Sequence, residues 1–478
     1  MKNALRHPGI SAFALLAMLT ASLMIPGINA TYSQSLSLDD NLVAHYPFNG
    51  NALDASGNGH DGTVNGALLA DDRFKRSDSA YFFDGFDDNI DCSDPPDNSF
   101  DLTGDFTITA WMSMATLAEG KYKNVFHSIV AKDEGPGQNI KKWIFGCVNG
   151  KLAFHINGPG YGGGFWYYSQ QQPLQVDTWY HAAVVRSGNI LDFYLDGKII
   201  GGQSVSFSIY DVNAPLTIGY SEPIGPFHGS IEEVRIYDRA LDKYEILQAY
   251  YWDAPVLDVK VYLEGPFNGT TMDTELNSNG YIPFDHPYDQ PPWNYDGAES
   301  LPSIPNSQVV DWVLIEFRDT TQSDRATSEA IDFRRAGLLL NDGHVVDLDG
   351  TSPLAFNTVI DWNLFLVVRH RNHLDIQATY VANQAGNVYS YDFTFGQIQA
   401  WGGLLGHKEL APNKWGMIGG DGLPDGGVNN LDKNDIWVPQ AGGSGYLGGD
   451  FNMDGQVNNT DKIDIWNPNT GYGSQVLP

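Results

Sequence analysis

Between residues 40 and 253 the chain runs as short apolar-rich segments separated by turn residues, and no long amphipathic pattern appears before residues 241–252. Phe106-Thr-Ile-Thr-Ala-Trp111 alternates apolar groups with hydroxyls, the period of a strand with one face toward a core and one toward solvent. The run from Tyr180 to Arg186 is mostly apolar and suits a strand covered on both faces. Leu191 to Leu195 runs into Asp196-Gly197, a dipeptide that favours a tight two-residue turn, and Lys198-Ile-Ile200 returns. Many short strands and a single late helix predict an antiparallel sandwich or jelly roll. The helix at 241–252 places Tyr244, Leu247 and Tyr251 at helical spacing, a stripe expected to pack back onto the sandwich. Ala254-Pro255 then reads as a boundary.

Six blocks in this region occur in the order expected of a laminin-G-like, concanavalin-A-like jelly roll, which the region therefore resembles. They are HYPFNGNALDASGNGHDGTVNGA (45–67), FDGFDDNIDC (83–92), DFTITAWM (105–112), DTWYHAAVV (177–185), LDFYLDGK (191–198) and HGSIEEVRIYDRALDKYEI (228–246). The resemblance implies two curved antiparallel sheets and a binding or adhesion module attached to a secreted protein. Residues 256–410 read as a second β-rich unit, with strands expected around Val309 to Phe317, Leu364 to Val368 and Tyr389 to Phe395. Its stretches VDWVLIEFRD, GLLLNDGHVVDLDG and VVRHRNHL are similar to a C-terminal module of large bacterial secreted and surface proteins.

The last sixty residues carry a duplication. GGDGLPDGGVNNLDKNDIW (419–437) recurs as GGDFNMDGQVNNTDKIDIW (448–466). In the second copy Asp450, Asn452, Asp454, Asn458 and Asp461 fall at positions 1, 3, 5, 9 and 12, with Gly455 at the sharp turn of position 6. Gln456 at position 7 would offer its backbone carbonyl, completing the oxygen schedule that calcium takes. The first copy offers Asp421, Asp425, Gly427, Asn429 and Asp432, but Leu423 stands at position 3 and removes one ligand. Both copies resemble the calcium repeats of bacterial type I dockerins, over 419–466, which implies a calcium-stabilised segment at 415–468. Pro439 and Pro468 follow the loops closely, and each helix is expected to be one or two turns long. Dockerins use a longer helix to engage a partner, so calcium binding carries over better than partner binding.

Residues 1–30 read as a signal peptide, with Lys2 and Arg6 before an apolar stretch and small residues before Thr31. No later stretch is long enough to cross a bilayer as a helix. With 27 Lys and Arg against 58 Asp and Glu, the net charge of −31 argues against nucleic acid and anionic membranes as partners. The two cysteines, Cys92 and Cys147, suit a single disulfide or two buried thiols equally, and no Cys/His spacing suggests zinc.

Catalytic kits are absent from the sequence. His370-Arg-Asn-His373 lies at a strand end, where alternation is expected to send the two imidazoles to opposite faces. Glu232 and Glu233 are adjacent and expected on opposite faces, unlike the paired carboxylates of a glycosidase. Binding is better supported. Gly158-Pro-Gly-Tyr161-Gly-Gly-Gly-Phe165-Trp166-Tyr167-Tyr168 sets aromatics beside a glycine-rich loop, and flat rings stack on the C–H faces of sugars. Tyr161, Trp166 and Tyr168 are the candidate ligand contacts. Asp54 and Asn58 lie in an oxygen-rich turn compatible with either an Asx-turn or a calcium site. The resemblance would bring Glu232 near that turn. These readings predict an exported, non-catalytic protein that binds carbohydrate or glycoprotein at a cell surface. The alternatives are a scaffold docking to a larger extracellular assembly and, more remotely, a polysaccharide hydrolase.

Overall fold

The computed structural model describes residues 37–117, 126–137, 140–170, 174–221 and 225–478, so the leader expected at 1–30 lies outside the described residues. The fold is mostly β, with antiparallel sheets making a jelly roll followed by a second β-domain. Among the described residues the jelly roll has an eight-stranded and a seven-stranded sheet. Strand Phe106–Met114 is central to the first, flanked by Trp179–Ser187 and His228–Tyr237. The second runs from edge strand Phe165–Tyr168 through Lys151–Asn157, Lys142–Val148 and Phe126–Asp133.

Alternate residues of both sheets fill the space between them. Ile108, Ala110, Met112, Val184, Phe193 and Ile236 meet Val130, Trp143, Phe145, Phe154 and Ile156 in one continuous core. The Asp196-Gly197 hairpin forms as expected, with both residues at positive φ (49° and 78°) and Leu195 paired with Lys198. Cys92 and Cys147 are separate buried thiols. Burial pushes the Cys92 thiol up to about 12 and the Cys147 thiol up as well.

The middle of the first sheet's outer face is not solvated. Thr107 and Thr109, whose hydroxyls alternate outward, are fully buried, because helix Lys243–Tyr250 lies across that face. Asp242 caps the helix, accepting from the amides of Tyr244 and Glu245, while Glu245 returns the bond to the Asp242 amide. The sandwich is met by Leu241, Ile246 and Ala249, which pack on Ala183, Val185, Tyr194 and Tyr237. The stripe read from the sequence, Tyr244, Leu247 and Tyr251, is therefore one step out of register. Tyr250 also stacks on Trp111 of the first sheet at 5.4 Å, and Leu247, Tyr250 and Tyr251 border a cleft toward the second β-domain.

That domain is built on a nine-stranded sheet in which Val309–Asp319 pairs with Ile331–Leu340 on one side and Leu364–His370 on the other. All but the last residue of Val309–Asp319 is buried. The duplicated tail closes the chain, and its small core of Val428, Phe451, Ile465 and Trp466 includes Leu374 and Ile418 of the preceding domain.

Candidate binding face and acidic loops

Edge strand Phe165–Tyr168 pairs with Lys151–Asn157 so that Trp166 stands opposite His155 and Tyr168 opposite Ala153. Alternation sends Tyr167 inward against Phe207 and turns Trp166 away from the sandwich core. There the Trp166 ring lies 4.4 Å from His155, 5.0 Å from Phe126 and 6.2 Å from Tyr168, the last pair near-parallel at 16°. Tyr168 is 42% exposed, whereas His155 is 5% exposed and its Nδ1 has no hydrogen-bond partner among the described residues. Burial, aided by the charge of Lys142, pushes the His155 imidazole down to about 4, so it is neutral at pH 7. Gly164 sits at φ +86°, where a Cβ would fall 2.5 Å from the Ile156 carbonyl and 2.6 Å from His155, so only glycine lets the loop close over this imidazole.

Trp166 and Tyr168 thus come together, and Tyr161 does not join them. Its hydroxyl accepts from the Ser208 amide (2.8 Å) and donates to the Ser208 carbonyl (3.1 Å). Its ring packs on Phe165 and Tyr210 and against the sandwich core. Tyr161 locks the glycine loop to a neighbouring segment.

The expected Asp54, Asn58 and Glu232 group is not assembled either. Both Asp54 oxygens are taken up locally by the amides of His45, Ser56 and His60 and the Ser56 hydroxyl, which is an Asx-turn. The Asn58 amide donates to the carbonyls of Leu42 and Val43. Glu232 is ion-paired with Arg73 at 2.8 Å, and burial pushes its carboxyl up to about 7. Its neighbour Glu233 reaches the N-terminal strand Leu42–Tyr46, 2.8 Å from His45 Nε2. Its φ of 50° and a bulge between Glu232 and Arg235 break the strict alternation assumed for this pair. Both carboxylates consequently feel Arg73. Asp84, Asp87 and Asp88 form a further acidic group with oxygens within 4.8 Å of one another, which the sequence reading passed over within FDGFDDNIDC.

The two histidines of His370-Arg-Asn-His373 converge, contrary to the alternation argument. Arg371 and Asn372 form a two-residue turn, so His370 and His373 are cross-strand partners with Nδ1 atoms 2.9 Å apart. His370 Nε2, Arg371 Nε and the Tyr446 hydroxyl surround Asp311, which these partners hold down at about 2 despite complete burial.

Each acidic loop of the tail closes on its own carboxylates. Asp421 accepts from the amides of Asp425 and Gly426, and Asp432 from those of Leu423 and Asn429. The second loop repeats the pattern, Asp450 accepting from Asp454 and Gly455 and Asp461 from Asn452 and Asn458. Gly426 and Gly455 take φ +84° and +86° at the sharp turn. Asp450, Asp461 and Asp432 are fully buried and Asp421 nearly so. Burial and mutual repulsion push the Asp421 carboxyl up to about 8 and that of Asp450 up to about 7. Asp425 and Asp454 stand beside them, accepting from the amides of Gly427 and Gln456. Asn429 and Asn458 cap the following helices, accepting from Leu431 and Thr460. Those helices run over 430–440 and 459–469, about three turns each, longer than the prolines suggested. Their middle turns are π-helical (Asp432–Trp437 and Asp461–Trp466), and the chain passes through Pro439 and Pro468 before stopping.

These features define a jelly roll with an aromatic outer face joined to a β-domain and a pair of acidic loops. Residues 84–247 match the family model of the concanavalin A-like lectin/glucanases superfamily, in its laminin-G form. No curated protein matches the chain. Among solved structures the chain is similar to domain 4 of AbnA, a GH43 extracellular arabinanase from Geobacillus stearothermophilus in complex with arabinotriose (19% identity, TM-score 0.35, 44% of this chain and 98% of that one). It is also similar to the binding domain of paraclostridial mosquitocidal protein 1 (14%, TM-score 0.38, 71% and 76%). A third is the Ruminococcus gnavus IT-sialidase CBM40 bound to α2,3-sialyllactose (13%, TM-score 0.30, 36% and 95%).

Proposed function

We propose that this is an exported, non-catalytic binding protein whose jelly roll recognises carbohydrate, free or on a glycoprotein, and whose acidic loops hold calcium. The observation that carries the carbohydrate reading is the Trp166–Tyr168 pair, near-parallel on the outer face of an edge strand with the unpartnered Nδ1 of His155 beneath it. Such a surface offers flat rings for the apolar faces of pyranose or furanose units. The matched family, named for lectins and glucanases, supports the same reading.

The acidic loops fit a divalent cation by the chemistry of their donors. Four buried carboxylates, two per loop, have drawn in backbone amides while their like charges oppose one another. Asp421, Asp425 and Asp432 would hold the ion in the first loop, and Asp450, Asn452, Asp454 and Asp461 in the second, with the position-7 carbonyls of Gly427 and Gln456. A bound cation would supply the positive charge these carboxylates lack.

A glycan array with the full chain, followed by affinity measurement for the strongest hit, tests the carbohydrate reading. Trp166→Ala is expected to weaken that affinity by about 1–2 kcal/mol, roughly 5- to 30-fold, with an unchanged circular dichroism spectrum. Unaltered affinity would move the site elsewhere, and reducing sugar released from the ligand would overturn the non-catalytic reading.

A further inference from the structure

The second β-domain carries an open bowl of about 510 Å³ on a solvent-facing part of its sheet, a size within the range of small-ligand sites. Strand register sets its floor. Strand Val256–Lys260 runs parallel to Val388–Asp392, which pairs Lys260 with Asp392 and Asp258 with Ser390. His344 lies across from Lys260 on the other side, and Asn383 lies across from Ser390. Alternation then puts two rows of polar side chains on one face, His344-Lys260-Asp392 and Asp258-Ser390-Asn383, on strands about 4.8 Å apart.

Two flat rings stand at the rim, Phe395 at 71% exposed and Tyr380 at 48%. They come from separate segments, and one buried hydroxyl ties these together. Tyr391 Oη accepts from the amides of Thr379 (3.2 Å) and Tyr380 (3.3 Å) and donates to the Gln399 carbonyl at 2.6 Å. The rim is therefore shaped before any ligand arrives, which spares the cost of ordering it. Rings this exposed beside a cavity mark a surface that gains by being covered.

The floor offers both halves of a hydrogen-bond pattern. Lys260 Nζ and the side-chain amides of Asn383 and Gln399 make no hydrogen bond among the described residues. Asp392 gives one oxygen, Oδ1, to the Thr394 amide and hydroxyl, leaving Oδ2 to accept. His344 Nδ1 lies 2.9 Å from Asp342, and its Nε2 faces Asp258 at 3.9 Å. Donors and acceptors are thus interleaved across the bowl.

A ligand for this floor and rim needs closely spaced groups that both donate and accept, on a ring with an apolar face. Polyhydroxylated rings have that chemistry, and flat aromatic side chains stack on their C–H faces. Acidic sugars are disfavoured by Asp258, Asp392 and the chain's net charge of −31. We propose that this bowl is a second carbohydrate site, selective for neutral pyranose units, with Phe395 and Tyr380 stacking on the sugar and Lys260, Asn383 and Asp392 bonding its hydroxyls. It lies in a different domain from the Trp166 face, so one chain holds a polysaccharide at two points.

Affinity electrophoresis of the full chain in gels containing xylan, mixed-linkage β-glucan, galactomannan or polygalacturonate tests this. Trp166→Ala serves as the background that removes the first site. At least one neutral polysaccharide should still retard that variant, and polygalacturonate should not. Adding Phe395→Ala or Tyr380→Ala should raise the dissociation constant about 5- to 30-fold at an unchanged melting temperature. Phe395→Trp should keep the retardation and Phe395→Leu should lose it, because leucine is apolar but offers no flat face. Full retention by Phe395→Leu would overturn the proposal by showing an apolar contact in place of stacking. Polygalacturonate retarding as strongly as any neutral gel, or an affinity indifferent to Phe395→Ala, would also overturn it. If Trp166→Ala alone frees the chain from every neutral gel, only the first site exists. If retardation is lost through Phe395 and never through Trp166, the second site stands and the Trp166 reading falls.

Discussion

The Asn372 side-chain amide donates to the backbone carbonyl of Asp450 at 2.7 Å, tying a buried hairpin turn of the second β-domain to the first residue of the second acidic loop. The neighbouring Arg371 donates to the Leu447 carbonyl at 2.7 Å while its guanidinium lies 4.1 Å over the Tyr446 ring. Glu264 accepts from the Gly419 amide and the Asn469 side chain. Within the tail the two copies interlock, Trp437 Nε1 donating to the Asn458 carbonyl and Trp466 Nε1 to that of Asn429. A change in one loop is therefore felt by the other and by the domain that carries them.

Calcium should raise the melting temperature of the full chain, and chelator should reverse the gain. The combined change Asp450→Ala and Asp461→Ala should remove the larger part of the response, leaving only that of the first loop. Asn372→Ala removes a buried bond to the loop's first residue and should cost about 1–3 kcal/mol even with calcium present. Calorimetry with and without chelator reads all three, and identical traces in the unmodified chain would sink the calcium assignment.

The two loops should differ. Leu423 stands where Asn452 gives the second loop a side-chain oxygen, and its amide alone takes part, donating to Asp432. Asp450→Ala should lower calcium affinity more than Asp421→Ala, as read by titration calorimetry of the full chain. The reverse order would mean that water replaces the missing ligand at no cost.

Much of this organisation was legible because it rests on local rules. Asp196-Gly197 specifies its hairpin by positive φ, and the Asp and Gly spacing of the loops specifies their closure, so both were readable from residues alone. Two misreadings share one cause, the assumption of unbroken alternation. A bulge re-aims Glu233, and a two-residue turn makes partners of His370 and His373. Thr107 and Thr109 keep their predicted direction but are buried by a helix more than a hundred residues later in the chain. Tyr161, Trp166 and Tyr168 were separable only once the Ser208 contact of Tyr161 was visible.

His155 should give the jelly roll a measurable acid sensitivity. Its folded pKa of about 4 lies below the ordinary 6.5, so it contributes stability above pH 6.5 that is lost as the pH falls toward 4. The full difference corresponds to about 3 kcal/mol. Chemical denaturation at pH 7 and pH 4.5 should show a smaller acid loss in His155→Gln than in the unmodified chain. Equal losses would mean that His155 is already solvated, and would weaken its role under Trp166.

The jelly roll should fold when cut after Asp253. Its helix docks on its own sandwich through Leu241, Ile246 and Ala249, contacts that need nothing from the second β-domain. The cut leaves Tyr251 without the Arg335 guanidinium, which lies 3.3 Å over its ring. A fragment of residues 38–253 should thus unfold cooperatively but self-associate more than the full chain. A molten fragment by near-ultraviolet circular dichroism would show that the two domains share a folding unit.

Tyr161 and Trp166 should separate cleanly by substitution. Tyr161→Phe deletes a hydroxyl that bridges the Ser208 amide and carbonyl and touches no part of the Trp166 face. It should lower stability by about 1–2 kcal/mol and leave glycan affinity within a factor of about 2. Trp166→Ala should do the opposite, losing affinity while the fold persists, because Trp166 lies on an outer face and the sandwich core does not depend on it. Paired denaturation and affinity measurements on both variants decide the matter. If Tyr161→Phe loses affinity as strongly as Trp166→Ala, the ligand spans the glycine loop and the site is larger than the Trp166–Tyr168 pair.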